Sequence, residues 1–293
     1  MKRAARALAA GGFALVLWLV ADRARAVDPF EIQVYDGTAN DPGIFGLELH
    51  LNHWATGHRS AVAPELPLFG QTHATLEPSF GVLPFWELGA YFQTSMRPDG
   101  TLDYAGSKLR SKFVTPPTWN PTWRLGVNFE LAYISERYDP DRWGMEMRPI
   151  AAYDDQRWLV AFNPILAQSF GATADEGPSF EPALKGSRAV GPVALGLEYY
   201  VNSGPVASPL PVREQEHYLY GVVDLLAVER FELNVGFGAG LTAASEGVIG
   251  KVILGYAFEP SKAGDAKEPP QDGRVGWIAR VPMRGGHRNS GAR

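Results

Sequence analysis

The chain has 293 residues, of which 45% are hydrophobic and 12% aromatic, with no cysteine and a formal net charge of −5. The lack of cysteine excludes a disulfide framework, a thiol nucleophile and a thiolate metal site. Residues 1–26 carry +4 and residues 259–293 carry +3, which leaves −12 for residues 27–258, a body too acidic to seek nucleic acid.

Lys2, Arg3 and Arg6 open the chain, Gly11 to Ala21 is apolar, and Ala24-Arg25-Ala26 offers small residues at the two positions a signal peptidase reads. The apolar run is short of the roughly 20 residues that span a bilayer, so residues 1–26 read as a signal peptide, with an uncleaved anchoring helix as the alternative. The mature chain then begins at Val27. No later stretch approaches the ~18 apolar residues of a membrane helix, so membrane residence has to use strands closed into a barrel.

From Phe30 to Phe258 the sequence falls into segments of alternating polarity separated by Gly, Pro, Asn and Asp. FEIQVY at 30–35 is a candidate extra strand. The spacing then predicts strands near 44–55, 71–82, 84–96, 102–114, 122–135, 143–153, 156–168, 177–188, 190–202, 215–226, 228–240 and 247–258. The expected fold is therefore all-β, a transmembrane antiparallel β-barrel over 27–258 with about 12 strands, within a range of 10–14. In the clearest segment Arg124, Asn128 and Glu130 share one face with Gly126 and Ala132, and Leu125, Val127, Phe129, Leu131 and Tyr133 share the other. Pro78, Pro149, Pro164 and Pro182 fall inside strands, where a missing N–H implies kinks or bulges.

Alternation does not say which face meets the solvent. The polar face is interleaved with Gly and Ala, as in a crowded lumen, and Trp54, Trp86, Trp119, Trp123, Trp143, Trp158, Tyr199 and Tyr256 sit at segment ends where interfacial girdles belong. The last segment ends in Tyr256-Ala257-Phe258, like the aromatic signal read by barrel-assembly machinery. These features predict an outward apolar face against outer-membrane lipid. Residues 259–293, rich in Pro, Gly and Arg, read as a flexible C-terminal tail.

On that orientation Glu48, His50, Glu77, Glu87, Arg110, Arg124, Asn128, Glu130, Arg148, Glu181, Glu198, Glu232 and Lys251 line the lumen. Such charges either pair with one another in a filled barrel or set solute preference in a wet one. No metal site is expected: His50, His53 and His58 with Glu48 are the only concentration, and their spacing does not gather them on one strand. His58-Arg59-Ser60 is similar to the His-x-Ser of outer-membrane phospholipases, but Ala61-Val62 stands where Asn-Gly should follow, so a loop is expected and no catalytic residue is assigned. No elbow, phosphate-loop or dinucleotide motif is present, so neither an enzyme nor a cofactor is expected.

DPFEIQVYDG at 28–37, FGLELHLNH at 45–53, EPSFGVLPFWELGAYFQ at 77–93, KLRSKFVTP at 108–116 and VALGLEYY at 193–200 resemble proteobacterial outer-membrane barrels related to the transporter-like family named for the MetA-pathway of phenol degradation. The resemblance spans most of 28–258 and implies a channel-like barrel in the bacterial outer membrane for small molecules, hydrophobic or aromatic compounds among them. It carries over no catalytic residue. A plugged structural barrel of the envelope is the alternative, and a barrel-borne lipid hydrolase acting through Ser60 ranks last.

Overall fold

The computed structural model describes residues 27–258 apart from Glu176 and Glu229, so the expected signal peptide and C-terminal tail lie outside the described residues. The strands in chain order are β1 (Phe45–Trp54), β2 (Thr72–Leu83), β3 (Trp86–Met96), β4 (Leu102–Val114), β5 (Trp123–Ile134), β6 (Trp143–Asp154), β7 (Trp158–Asn163), β8 (Leu166–Phe170), β9 (Ser179–Phe180), β10 (Ala183–Val190), β11 (Val193–Asn202), β12 (Glu216–Leu225), β13 (Phe231–Gly240) and β14 (Val248–Phe258). Every pairing is antiparallel, and β1 against β14 closes the ring from Phe45↔Phe258 to Trp54↔Ile249. β7 with β8, and β9 with β10, are halves of single staves, so the barrel has 12 staves.

The breaks fall at proline. β7 stops before Pro164 and β10 starts after Pro182, because neither residue can donate to a ladder. β6 pairs with β7 over 151–154 and with β8 over 143–147, so Arg148, Pro149 and Ile150 have no ladder partner on that side. The wall is bridged there by single contacts such as the Glu181 N–H on the Ile165 carbonyl at 2.9 Å. Pro78 acts more mildly: β2 and β3 skip a step between Leu76↔Phe92 and Ser79↔Gly89 without losing register.

The polarity of the barrel is inverted relative to a soluble fold. Leu109, Leu125, Leu197 and Phe237 on the outer face are 55–71% exposed, whereas Glu77, Arg110, Glu130, Arg148 and Lys251 are 1–4% exposed. An apolar belt facing water would be strongly unfavourable, so lipid is the medium it fits, and the fold is a transmembrane barrel of the outer-membrane type. Aromatic pairs rim both ends. Trp86 stacks on Phe113 at 6.0 Å and Trp123 meets Tyr153 at 5.1 Å at one end, and Tyr133 meets Trp143 at 5.0 Å at the other. Trp54 does not join them: it lies on the inward parity of β1 and is 1% exposed, so the expectation that it serves a girdle is corrected.

The two ends differ. Connectors 84–85, 155–157 and 191–192 are short and lie at the end holding Phe45 and Phe258, while 55–71 and 203–215 lie at the opposite end. At the short end the backbone N–H of Trp158 holds the Asp155 carboxylate below its usual range, and at the long end the N–H of Thr101 does the same for Asp99.

The segment FEIQVY is not a wall strand. With β1 paired to both β2 and β14 there is no free edge for it, and residues 27–44 instead run through the lumen as an internal strap. Phe30, Ile32, Val34 and Tyr35 are buried at 0–6% exposure. The strap turns out at Asn40 and Asp41, whose carbonyls crowd Gly81 so closely that a Cβ there would overlap them.

Candidate functional site: the lumen and its strap

Each face-sharing set in the sequence becomes a vertical stripe of the lumen, and the antiparallel register arranges these stripes into layers. In the middle layer Arg110 Nη2 donates to Glu77 Oε1 at 2.7 Å and Glu87 Oε1 at 2.8 Å, and Lys112 also reaches Glu87 at 2.9 Å. Lys108 Nζ donates to Glu130 Oε2 at 3.0 Å, and Asn128 Nδ2 donates to Glu130 Oε1 at 2.8 Å. His50 Nε2 lies 3.1 Å from Glu77 and 3.5 Å from Glu48. Across the barrel Glu198 takes Lys251, and Lys185 at 3.3 Å. Arg124 lies 2.9 Å from Asp154 on β6.

These groups grip the strap. Arg148 lies over the Tyr35 ring at 4.4 Å, donates to the Gln33 carbonyl at 3.3 Å, and sits 3.6 Å from Glu31 and 2.7 Å from Glu146. Lys251 donates to the Ile32 carbonyl at 2.9 Å, and Arg124 reaches Asp36 at 3.4 Å. Asn163 both accepts from the Tyr35 N–H at 2.7 Å and donates to its carbonyl at 3.0 Å. Toward the long-loop end Asn52, His73 and Thr75 bond the carbonyls of Pro29 and Phe30 at 2.9–3.1 Å, and Phe30 stacks on His73 at 4.4 Å. No disulfide ties the strap to the wall, since the chain has no cysteine, and its one covalent connection is the backbone into β1.

Twelve of the residues expected to line the lumen lie on inward parities of their strands, and Glu181 lies in the break between β9 and β10. Glu181 stands apart near the wall break, accepting from Ser179 and from Asn202 Nδ2 at 2.9 Å. Glu232 lies at the short-turn end, where the strap leaves a cavity of about 90 Å³ that opens outward. Sequence reasoning missed Glu31, Asp36 and Tyr35, because a segment with strand-like alternation gave no reason to place it inside. Parity was the available signal: adding FEIQVY to 12 staves would give 13, and single-chain bacterial outer-membrane barrels have even strand numbers.

Glu48, His50 and Glu77 bring three ligand-type atoms within 4.8 Å, a grouping the linear spacing of the histidines did not reveal. His53 is exposed on the other face, and His58 lies in the 55–71 connector. Arg110 already holds Glu77 at 2.7 Å, so the donor set is neutralised from within and fits an ion network better than a metal.

Strand closure, apolar exterior and ionic lumen define the class: an antiparallel transmembrane β-barrel with an internal strap. No family model and no curated protein matches the chain. Among solved structures, an outer membrane channel from Pseudomonas putida F1 is similar at TM-score 0.52 and 12% identity, covering 78% of this chain and 100% of that one. The KdgM porin (TM-score 0.48, 10% identity, 73% and 99% coverage) and the NanC porin (0.47, 8%, 73% and 100%) also match. At such identities the first of these shows a shared fold and nothing finer.

Proposed function

We propose that the protein is a channel-like barrel of the bacterial outer membrane for the passage of small molecules, closed at rest by its own N-terminal strap. The observation that carries this reading is the strap itself. A lumen that admits an extended peptide bearing Phe30, Ile32 and Tyr35 has the cross-section of a small aromatic or aliphatic solute. A barrel of purely structural purpose can fill its interior with wall side chains alone, whereas this one uses a segment that, beyond its backbone continuation into β1, is held by reversible contacts.

The resemblance to the MetA-pathway family supports hydrophobic or aromatic compounds as solutes. The interrupted ladder at Pro149, Pro164 and Pro182 offers them a route through the wall beside the strap. Export by the signal peptide, recognition of Phe258 by the assembly machinery and residence in outer-membrane lipid belong to the same proposal.

The second reading, a plugged structural barrel, draws on the ion pairs from Arg148, Lys108 and Arg124 to the strap. Single-channel conductance in planar bilayers separates the two. The mature protein is expected to be closed or to flicker, deletion of residues 28–37 to give steady current steps, and Arg124→Ala, which removes one wall contact of the strap at Asp36, to give intermediate opening. Silence from all three while the barrel inserts would favour the structural reading.

A further inference from the structure

The cavity below the strap has a slot in its wall. Glu48 of β1 and Glu232 of β13 are both register partners of Gly255, from opposite sides of β14. They face inward at one level, two interstrand spacings or about 9–10 Å apart at Cα, with no side chain between them. Glu232 makes no hydrogen bond or ion pair with the described residues, and the groups acting on it at longer range are Glu48, Asp36 and Asp224 with Lys185 as the opposing cation. Lys185 is itself shared between Glu198 and Asp224 at 3.3 and 2.9 Å.

One layer further in, Asn234 is 2% exposed and lines the same cavity. Its Nδ2 donates to Asp224 at 2.6 Å, while its Oδ1 has no hydrogen-bond partner. A buried amide oxygen without a donor is costly to leave unsatisfied, and because Asn234 lines the cavity a guest that settles against it and shifts its neighbours can supply the missing N–H. The open positions of the slot are therefore all acceptors. Beside them the cavity offers Val34, Leu226 and Ile253, each at most 6% exposed.

We propose that this slot binds the ammonium end of a small organic amine, with the hydrocarbon body of the guest against Val34, Leu226 and Ile253. Glu48 already takes Gln33 and His50 at 3.5 Å through Oε2, so the three N–H donors of a primary ammonium match Glu48 Oε1, the Glu232 carboxylate and Asn234 Oδ1. A metal ion fits less well, because the metal-spaced trio of this region is Glu48, His50 and Glu77, which leaves Glu232 outside it. This deepens the channel reading by naming a solute class and rests on that reading for its purpose, but binding itself needs no passage through the barrel.

The test is calorimetry on the refolded full barrel in detergent, with phenethylamine, its neutral counterpart 2-phenylethanol, and magnesium ion. Phenethylamine is expected to bind, 2-phenylethanol to bind at least tenfold more weakly, and Glu232→Gln and Glu48→Gln each to weaken the amine about tenfold, the size of one lost hydrogen bond to a charged group. Glu232 makes no hydrogen bond or ion pair with the described residues, so its isosteric amide variant is expected to fold as the parent does, and the Glu48 variant supplies an independent reading. Equal binding of amine and alcohol, an amine affinity unmoved by either substitution, or displacement of the amine by equimolar magnesium would overturn the proposal. A barrel that binds the amine while its 28–37 deletion variant inserts and stays silent in bilayers would sink the channel reading and leave this site standing.

Discussion

Arg110 shows what a buried charge does in this lumen. Its guanidinium is 4% exposed and its Nη2 lies 2.7 and 2.8 Å from Glu77 and Glu87, which in turn hold His50 and the Asn40 backbone N–H of the strap. Two carboxylates and one guanidinium form a unit whose members tolerate burial only together, since an unpaired charge away from water costs several kcal/mol. Arg110→Met keeps the bulk and removes the charge. The expected loss is about 3–5 kcal/mol, the usual cost of breaking a buried ion pair on one side, and a urea titration of the refolded barrel followed by gel mobility would measure it. A loss below about 1 kcal/mol would mean that water already solvates this layer, as at an exposed pair.

Staves are where proline decides the architecture. Pro164 and Pro182 stand side by side in adjacent staves, and the absence of their N–H groups separates β7 from β8 and β9 from β10. Pro164→Ala with Pro182→Ala restores both donors, so the two halves of each stave should join and amide exchange across 148–150 and 163–166 should slow by about tenfold or more as ladder bonds form. Unchanged exchange would assign the break to the inward demands of Ile165 and Glu181. The staves themselves were legible in the sequence, because period-2 alternation with turn residues at the ends fixes where a strand lies and which face carries its charges. Arg124, Asn128 and Glu130 could be read as one stripe for that reason. Which stripe faces which was not legible: the Glu48–Gly255–Glu232 alignment depends on register, which depends on turn geometry and barrel stagger. The strap was misread for a related reason, since Phe30 to Tyr35 satisfies the local pattern of a strand and only closure of the ring excludes it.

For the molecule as a whole, connector length distinguishes the two ends of the barrel. Outer-membrane barrels place short turns toward the periplasm and long loops outside. Here the short connectors gather at the end holding Phe45, Phe258 and the open cavity, and the long ones at the end holding His73 and Trp54. On this assignment Arg213, whose side chain is 82% exposed in the 203–215 connector, lies outside the cell, while Arg157 in the 155–157 turn lies within the periplasm. Trypsin added to intact cells should therefore cut at Arg213 and leave Arg157 whole until the envelope is opened, with the two cleavages told apart by fragment mass. Cleavage at Arg157 with Arg213 spared would invert the barrel. The cavity beside Glu232 would then open to the medium rather than to the periplasm.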